Sequence, residues 1–267
     1  MPNLDEIDMQ HIMGIANQMF WEDRGRAEQM VNSPHFRHWI ISPGSSKLLV
    51  HGDFDSGGPP EPLSPFSVLC ATMMQAFRMS PGLISLVFFC GRHLTYREDF
   101  QGHGGTVMIR SLIAQLLRQM PLSAIPQDQR IFAEIENIEN ASVSQLCTVF
   151  SFLIRMLPPE KTIFVQIDGI NLYEREEYLH QMDQVILCLL DLIGGGPIRQ
   201  GAKVKLLLTS ARPTVEVRQV FEDEPDALLH MAHIPRNEQV PRPGEVEGRL
   251  IKGLAEGSAQ HEAFPSH

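Results

Sequence analysis

A glycine-containing segment after a short apolar run is the first place in this sequence where a phosphorylated ligand could bind. The segment covers residues 52–59 and reads GDFDSGGP. Phosphate-binding loops follow the pattern G-x-x-x-x-G-K-[ST], in which backbone N–H groups surround the phosphates. Gly52 and Gly57 match the two glycines, whereas Gly58 stands at the lysine position and Pro59 at the Ser/Thr position. The pattern predicts half of a phosphate-binding loop, and the alternative is a glycine turn that binds no ligand.

Two further segments place polar side chains at the ends of apolar runs. Thr162–Ile167 is followed by Asp168, where P-loop NTPases hold the aspartate associated with Mg²⁺. Thr209 and Ser210 end another apolar run, where a γ-phosphate sensor would lie, and Arg212 follows. Ligands of open α/β sheets bind beyond the carboxyl ends of the strands, so we expect these residues to face one crevice. The alternatives are a strand-end cap or ion pair for Asp168 and a structural arginine for Arg212.

The rest of the chain alternates between short apolar runs and helical patterns of a dozen or so residues. This alternation predicts a parallel sheet with helices on both faces, and the glycine-containing segment after the first strand favours a three-layer αβα fold of the P-loop NTPase type. The strands are almost entirely apolar, as is typical of strands buried on both faces. Strands are predicted at 47–51, 84–91, 162–167, 203–209 and 228–234, and helices at 66–79, 106–120, 143–157, 177–193 and 215–221.

Three regions are predicted along the chain. Residues 1–46 carry apolar side chains at helical spacing and form a helical lead-in. Residues 47–234 form the P-loop NTPase-like domain, and residues 235–267 form a polar tail or linker. No run approaches the roughly 18 apolar residues of a transmembrane helix.

Charge and cysteine content restrict the class of protein. The formal net charge of -10 and the pI of about 5.5 argue against a general nucleic-acid or anionic-membrane surface, because both need clustered Lys and Arg. The four cysteines lie in apolar runs without a CxxC pair, which fits small buried side chains in a reducing compartment. The acidic N-terminus lacks an apolar signal core, so we expect a cytoplasmic location.

The order of these motifs resembles the NACHT-like NTPase domains of STAND signalling proteins, in the form common in filamentous fungi. The resemblance extends over about residues 36–234, with its most similar segments at 36–39 (FRHW), 48–52 (LLVHG), 88–90 (FFC), 109–117 (IRSLIAQLL) and 167–170 (IDGI). It implies a P-loop fold with Asp168 as the metal-associated residue. The vestigial nucleotide site that it implies consists of Gly52, Gly57, Gly58, Asp168, Thr209, Ser210 and Arg212.

The sequence departs from that group where the chemistry of ATP hydrolysis is concentrated. The group's lysine and Ser/Thr correspond to Gly58 and Pro59, and the acidic pair after its Asp-Gly corresponds to Asn171 and Leu172. Loss of a lysine contact worth about 1.5–3 kcal/mol weakens phosphate binding by about ten- to a hundredfold. We therefore expect no required cofactor, weak binding of ATP and Mg²⁺ at most, and negligible hydrolysis, so these motifs do not establish an enzyme.

Three functions stay open. The first is a catalytically inactive regulatory or scaffold module in intracellular signalling. The second is a weak or atypical nucleotide-binding NTPase that uses Asp168, Thr209, Ser210 and Arg212. The third is an enzyme of another class in the strand-end crevice, because a fold does not fix a function.

Two strongly apolar helical patterns bear on partners. The pattern at 143–157 has a wide apolar stripe, and that at 184–193 has almost no polar face. A helix that is apolar all round must be buried, and a sheet covers only one of its sides. We therefore expect a protein partner or self-association, unless the lead-in helices fold back over these segments.

Histidine spacing does not favour a metal site. His35 and His38 have no third ligand nearby in the sequence, and His51 precedes two aspartates in the glycine-containing segment. His230 and His233 lie on a predicted strand, where residues three apart point to opposite faces. A Ser-His-Asp hydrolase is not supported either, because the sequence contains no GxSxG motif.

Overall fold

A computed structural model describes residues 3–54, 62–80, 82–95, 103–120, 140–194 and 201–236, together with residue 248. The strands are β1 (Ser46–His51), β2 (Leu83–Phe89), β3 (Thr162–Asp168), β4 (Lys203–Ser210) and β5 (Leu228–His230). The helices are α1 (Leu4–Ile15), α2 (Trp21–Glu28), α3 (Pro34–Ile41), α4 (Pro65–Arg78), α5 (Gly104–Gln119), α6 (Val143–Met156), α7 (Glu176–Gly194) and the short α8 (Glu216–Gln219). All strand pairs are parallel, and their order is β2-β3-β4-β1-β5. The predicted three-layer α/β fold of P-loop type is confirmed.

The sheet separates two apolar layers. On one face, α5, α6 and α7 pack against one another and against alternate strand residues such as Val165 and Ile167. On the other face, α4 and the lead-in helices α2 and α3 pack around Phe164 and Leu207. Side chains alternate along a strand, so each inner strand contributes to both layers, which explains its almost continuous apolar sequence.

The lead-in helix α3 is joined directly to the sheet. The Trp39 ring meets Phe164 of β3 edge-on, with ring centroids 5.6 Å apart. Lys205 of β4 donates from Nζ to the carbonyl oxygens of Trp39 (2.9 Å) and Ser42 (2.6 Å) at the end of this helix. Burial lowers the pKa of Lys205 to about 7.

The boundary between the lead-in and the domain at residue 46 stays a prediction, as does the tail after residue 234.

The apolar helix α7 obtains its cover from within the chain. It packs against α5, α6 and β4, whereas the lead-in helix α1 packs against α4, α5 and β2. Among the apolar side chains of α7, Leu187 alone is exposed, at 55%. The cover therefore comes from α5 and α6, not from the lead-in. Of the helices in the described ranges, none is long and apolar enough to cross a membrane.

The outer edge of β2 is closed by two glutamines of α5. Gln115 accepts from the Val87 N–H through Oε1 (2.9 Å) and donates through Nε2 to the Val87 carbonyl oxygen (2.7 Å). Gln119 makes the same two bonds to the Ser85 N–H (3.0 Å) and carbonyl oxygen (2.9 Å). The glutamines are four residues apart and therefore lie on one helix face, where they replace the hydrogen bonds of a further strand.

The last predicted strand is longer than the observed strand β5. The strand expected at 228–234 ends at His230, and Met231–His233 form a single 3-10 turn in which the Ile234 N–H donates to the Met231 carbonyl oxygen at 2.9 Å. This turn brings the rings of His230 and His233 to 5.2 Å between centroids. The two side chains are thus neighbours, contrary to the opposite faces that a continuous strand would give them.

Candidate functional site

Asp168 lies at the carboxyl end of β3, beneath the first turn of α4. In the sheet register it stands between Phe89 of β2 and Thr209 of β4. The Thr209 hydroxyl donates to Asp168 Oδ1 at 2.7 Å, and the Ser67 hydroxyl of α4 donates to Oδ2 at 2.5 Å. Asp168 is 1% exposed. Two hydroxyl donors on two elements thus hold a carboxylate that water barely reaches.

The environment of Asp168 sets its protonation. Burial raises its pKa from 3.8 to about 6, although hydrogen bonds from Ser67, Thr209 and the Gly169 backbone favour the charged form. The carboxyl group is therefore mainly ionised at neutral pH and mainly protonated below about pH 5. A charged group so deeply buried destabilises the fold unless its partners compensate.

Gly169 turns the chain sharply after Asp168. Its φ of 71° lies in the left-handed region that glycine adopts without strain. The following turn, Ile170–Tyr173, buries the Leu172 side chain in the apolar layer beneath α7. It also brings Asn171 Oδ1 to the Ser210 hydroxyl, which donates to it at 2.9 Å. The two positions that correspond to the acidic pair of NACHT-like domains are thus occupied by an amide and a core leucine.

Glu174, directly after this turn, binds backbone N–H groups with its carboxylate. Both carboxylate oxygens of Glu174 accept from the Val215 N–H, at 3.0 and 2.9 Å, and Oε1 also accepts from the Val217 N–H at 2.9 Å. Glu174 therefore caps the start of α8.

The beginning of the glycine-containing segment is held by two contacts. The Gly52 N–H donates to the Ser210 carbonyl oxygen at 2.8 Å, which continues the pairing of β1 with β4. The next residue, Asp53, forms a two-bond ion pair with Arg26 of α2, from Nε and Nη2 at 3.0 Å each. Arg26 also donates to Gln29 and to the carbonyl oxygens of Met231 and Ile234. This guanidinium joins the lead-in, the loop and the segment after β5.

The start of α4 contains a functional residue that sequence reasoning missed. The helix begins at Pro65, and the Ser67 hydroxyl accepts from the Ser64 N–H at 3.0 Å while it donates to Asp168. In P-loop NTPases the Ser/Thr of the loop and the strand-end aspartate hold Mg²⁺ together. We therefore infer that Ser67 corresponds to that Ser/Thr, and its place in the first helical turn is the signal that could have identified it.

Phe66 then occupies the position of the lysine, which directly precedes the Ser/Thr in the template. The Phe66 side chain is fully buried and meets the Phe54 ring edge-on, with centroids 4.9 Å apart. The sequence from His51 to Phe77 contains neither lysine nor arginine. Pro62 closes the same region from above, because its carbonyl group lies where a side chain on Gly91 would project.

The structure brings part of the predicted set together. Asp168 and Thr209 are in direct contact, whereas the neighbouring Ser210 is bonded to Asn171 through its hydroxyl and to the Gly52 N–H through its carbonyl oxygen. The Arg212 side chain is exposed, although its backbone N–H and carbonyl oxygen are hydrogen-bonded to the Ser210 hydroxyl. Gly57 and Gly58, with Pro59, lie outside the described residues.

The described residues do not fit Mg²⁺ with ATP. Mg²⁺ keeps several water ligands and needs open carboxylate oxygens, whereas both oxygens of Asp168 accept from hydroxyls in a site without solvent access. Phe66 offers no charge to a phosphate. The carboxylate here links β3, β4 and α4 and does not face an open crevice.

A second polar group lies at the other side of β1. His51 Nε2 faces the Thr214 hydroxyl at 2.8 Å and accepts from the Thr214 N–H at 3.3 Å, while its Nδ1 lies 3.3 Å from Nδ1 of His230. Because Nε2 accepts, Nδ1 carries the proton and donates to His230. Burial and the neighbouring His230 lower the pKa of His51 to about 4. Across the described ranges, no group of three or more His, Cys, Asp or Glu side chains is arranged to hold a metal ion.

Comparison with known proteins assigns the chain to a family. A search of curated proteins gave no match. Residues 25–211 match the family described as nephrocystin 3, N-terminal. The matched range begins in α2 and ends directly after β4, so it contains Arg26, Ser67, Asp168 and Thr209. It covers well over half of the sequence, and the chain therefore belongs to the nephrocystin 3 N-terminal family.

Proposed function

We propose that this chain is a catalytically inactive regulatory or scaffold domain of the NACHT-like STAND type, in the form common in filamentous fungi, and that it acts in cytoplasmic signalling. One observation carries the proposal: the residues that would bind Mg²⁺ and phosphate are used for packing. Ser67 and Thr209 satisfy both oxygens of a buried Asp168, and Phe66 fills the lysine position.

The charges around the loop support the same proposal. A phosphate needs cationic or N–H donors, and the two described arginines at the loop, Arg26 and Arg236, are both paired with Asp53. Asn171 and Leu172 provide no carboxylate to activate a water molecule. Binding of a triphosphate would have to compete with Asp53 for these guanidinium groups.

A protein partner or self-association is part of this proposal. A regulatory domain without catalysis acts by contact, and the exposed apolar side chains of Leu187 and Met156 on the neighbouring helices α7 and α6 support such a contact. The acidic net charge of -10 favours a protein partner over nucleic acid or membrane.

The alternative function is weak nucleotide binding. The Ser67–Asp168 pair keeps the hydroxyl and carboxylate that hold Mg²⁺ in active P-loop proteins, and this contact is what favours the alternative. An ion would have to displace one of the two hydroxyls, which lowers affinity.

Calorimetric titration of the full chain with Mg·ATP tests the proposal. We expect binding no tighter than high micromolar and no release of phosphate above the protein-free control. The matched variants are Asp168→Ala and Arg212→Ala, with circular dichroism to verify folding. Low-micromolar binding that Asp168→Ala abolishes would instead establish the alternative function.

A further inference from the structure

Two cysteines face each other where α6 packs against α7. Cys188 Sγ lies 3.5 Å from the Cys147 carbonyl oxygen, and Cys147 Sγ lies 3.8 Å from the Gln184 carbonyl oxygen, one helical turn before Cys188. Each sulfur thus reaches the backbone of the opposite helix beside the other cysteine. Cys188 is half-buried, next to the exposed Leu187, so small solutes reach it from the surface.

Three side chains of α6 line up opposite Cys188. Cys147, Ser151 and Arg155 are spaced by four residues and therefore lie along one helix face. The Ser151 hydroxyl lies 3.3 Å from Cys188 Sγ. The hydrogen bond from Cys147 is the main cause of the lowered pKa of the Cys188 thiol, and Ser151 and the charge of Arg155 add to it. Burial and the charge of Asp191 act in the opposite direction, but the pKa is lowered on balance. The contact with Cys188 raises the pKa of Cys147, which keeps its proton.

The other two cysteines offer a contrast within the chain. Cys70 and Cys90 are fully buried near Asp168, and burial raises the pKa of both thiols. Thiolates react with electrophiles and peroxides much faster than buried protonated thiols do. The cysteines of this chain therefore divide into a fully buried pair near Asp168 and a contacting pair between α6 and α7, in which Cys147 is buried and Cys188 is half-buried.

We propose that Cys188 and Cys147 form a redox site in which a hydroperoxide oxidises Cys188 and Cys147 then closes a disulfide between α6 and α7. The Cys188 thiolate attacks the distal peroxide oxygen, the O–O bond breaks, and the leaving hydroxide takes up a proton. Sulfur is oxidised to the sulfenic acid as the peroxide is reduced. Cys147 sulfur then attacks Cys188 sulfur, the S–O bond breaks, and water leaves with the Cys147 proton. In total, two thiols and one hydrogen peroxide give one disulfide and two waters.

The test uses the full chain treated with stoichiometric hydrogen peroxide, followed by alkylation and peptide mass spectrometry. We expect a Cys147–Cys188 cross-linked peptide, with Cys70 and Cys90 recovered as thiols. Before oxidation, iodoacetamide should modify Cys188 on the order of tenfold faster than the two buried thiols, because thiolate fraction follows the pKa.

Single variants separate the two roles. In Cys147→Ser, oxidation by peroxide should stop at a sulfenic acid on Cys188, which dimedone labels. In Cys188→Ser, the same treatment should leave Cys147 unmodified. Arg155→Gln should slow alkylation of Cys188 severalfold without changing Cys70 or Cys90. A cross-link between two chains, equal reactivity of all four cysteines, or peroxide oxidation of Cys147 in the absence of Cys188 would each refute the proposal. These readouts do not involve nucleotide, so they are independent of the proposed function.

Discussion

The Ser67 hydroxyl donates to Asp168 Oδ2 at 2.5 Å, and this bond joins the first turn of α4 to the end of β3. In a P-loop NTPase the same two groups face a metal ion. In this chain they face each other, with Thr209 on the remaining carboxylate oxygen. In the function that we propose, this pair acts as a contact within the core and not as a ligand-binding pair.

The charge of Asp168 should destabilise the fold at neutral pH. Its native pKa of about 6 lies above its ordinary value of 3.8, so the folded state binds the proton more tightly between these values. Stability therefore falls as pH rises from about 4 to 6. Asp168→Asn removes this charge and should raise the free energy of unfolding at pH 8 by about 2–3 kcal/mol, with no gain at pH 4.

Urea denaturation at both pH values measures this change. The exposed Asp226 gives the matched control, because Asp226→Asn should alter stability little at either pH. A loss of stability in Asp168→Asn at pH 8 would mean that the charged hydrogen bonds outweigh burial, contrary to the prediction.

The burial of His51 should give the opposite slope of stability against pH. The pKa of His51 is lowered from 6.5 to about 4, so between these values the unfolded chain binds the proton and the native state does not. Stability should fall as pH decreases through this window. His51→Gln should flatten the dependence of the urea midpoint on pH, and an unchanged slope would show that His51 is protonated in the native state.

Phe66 should behave as a core residue and not as part of a binding site. Its side chain is fully buried against Phe54, so Phe66→Ala should lower the free energy of unfolding by about 3–5 kcal/mol. Phe66→Leu keeps most of the apolar volume and should cost less than half as much. Thermal or urea unfolding compares the two, and equal stability of Phe66→Ala and the parent would contradict the assigned packing.

Arg26 should contribute far more to stability than a surface ion pair. Arg26→Ala leaves Asp53 with reduced compensation and two carbonyl oxygens without this donor, so we expect a loss of about 3–5 kcal/mol. Arg26→Lys keeps the charge but loses the planar guanidinium group. Its free energy of unfolding should therefore lie between those of Arg26→Ala and the parent chain. The exposed Arg218–Glu222 pair is the control, since Glu222→Ala should cost about 0.5 kcal/mol or less.

The strand-end residues could be predicted because their position depends on local sequence and one topological rule. Apolar runs identify β3 and β4, and parallel strands place their carboxyl ends at one edge, which brings Asp168 to Thr209. The hydrogen bond between them was not visible in the sequence, but their proximity was.

Ser67 could not be predicted in the same way. The connection from Gly52 to Ser64 is longer than the template allows, and no lysine marks the position before the hydroxyl. The template therefore assigns its lysine and Ser/Thr positions to Gly58 and Pro59, whereas the start of α4 favours Phe66 and Ser67. The Arg26 network was also inaccessible, since it joins residues more than 200 positions apart, such as Arg26 and Ile234.

The two glutamines of α5 that are bonded to β2 limit how copies of this domain could polymerise. An edge strand with free N–H and carbonyl groups can accept a strand from another molecule and extend into a fibril. Gln115 and Gln119 occupy these groups at Val87 and Ser85, so an incoming chain would have to displace four hydrogen bonds that α5 already supplies. At this edge, growth by β-augmentation is blocked, which leaves contacts between side-chain surfaces as the route by which β2 and its neighbours could take part in an oligomer.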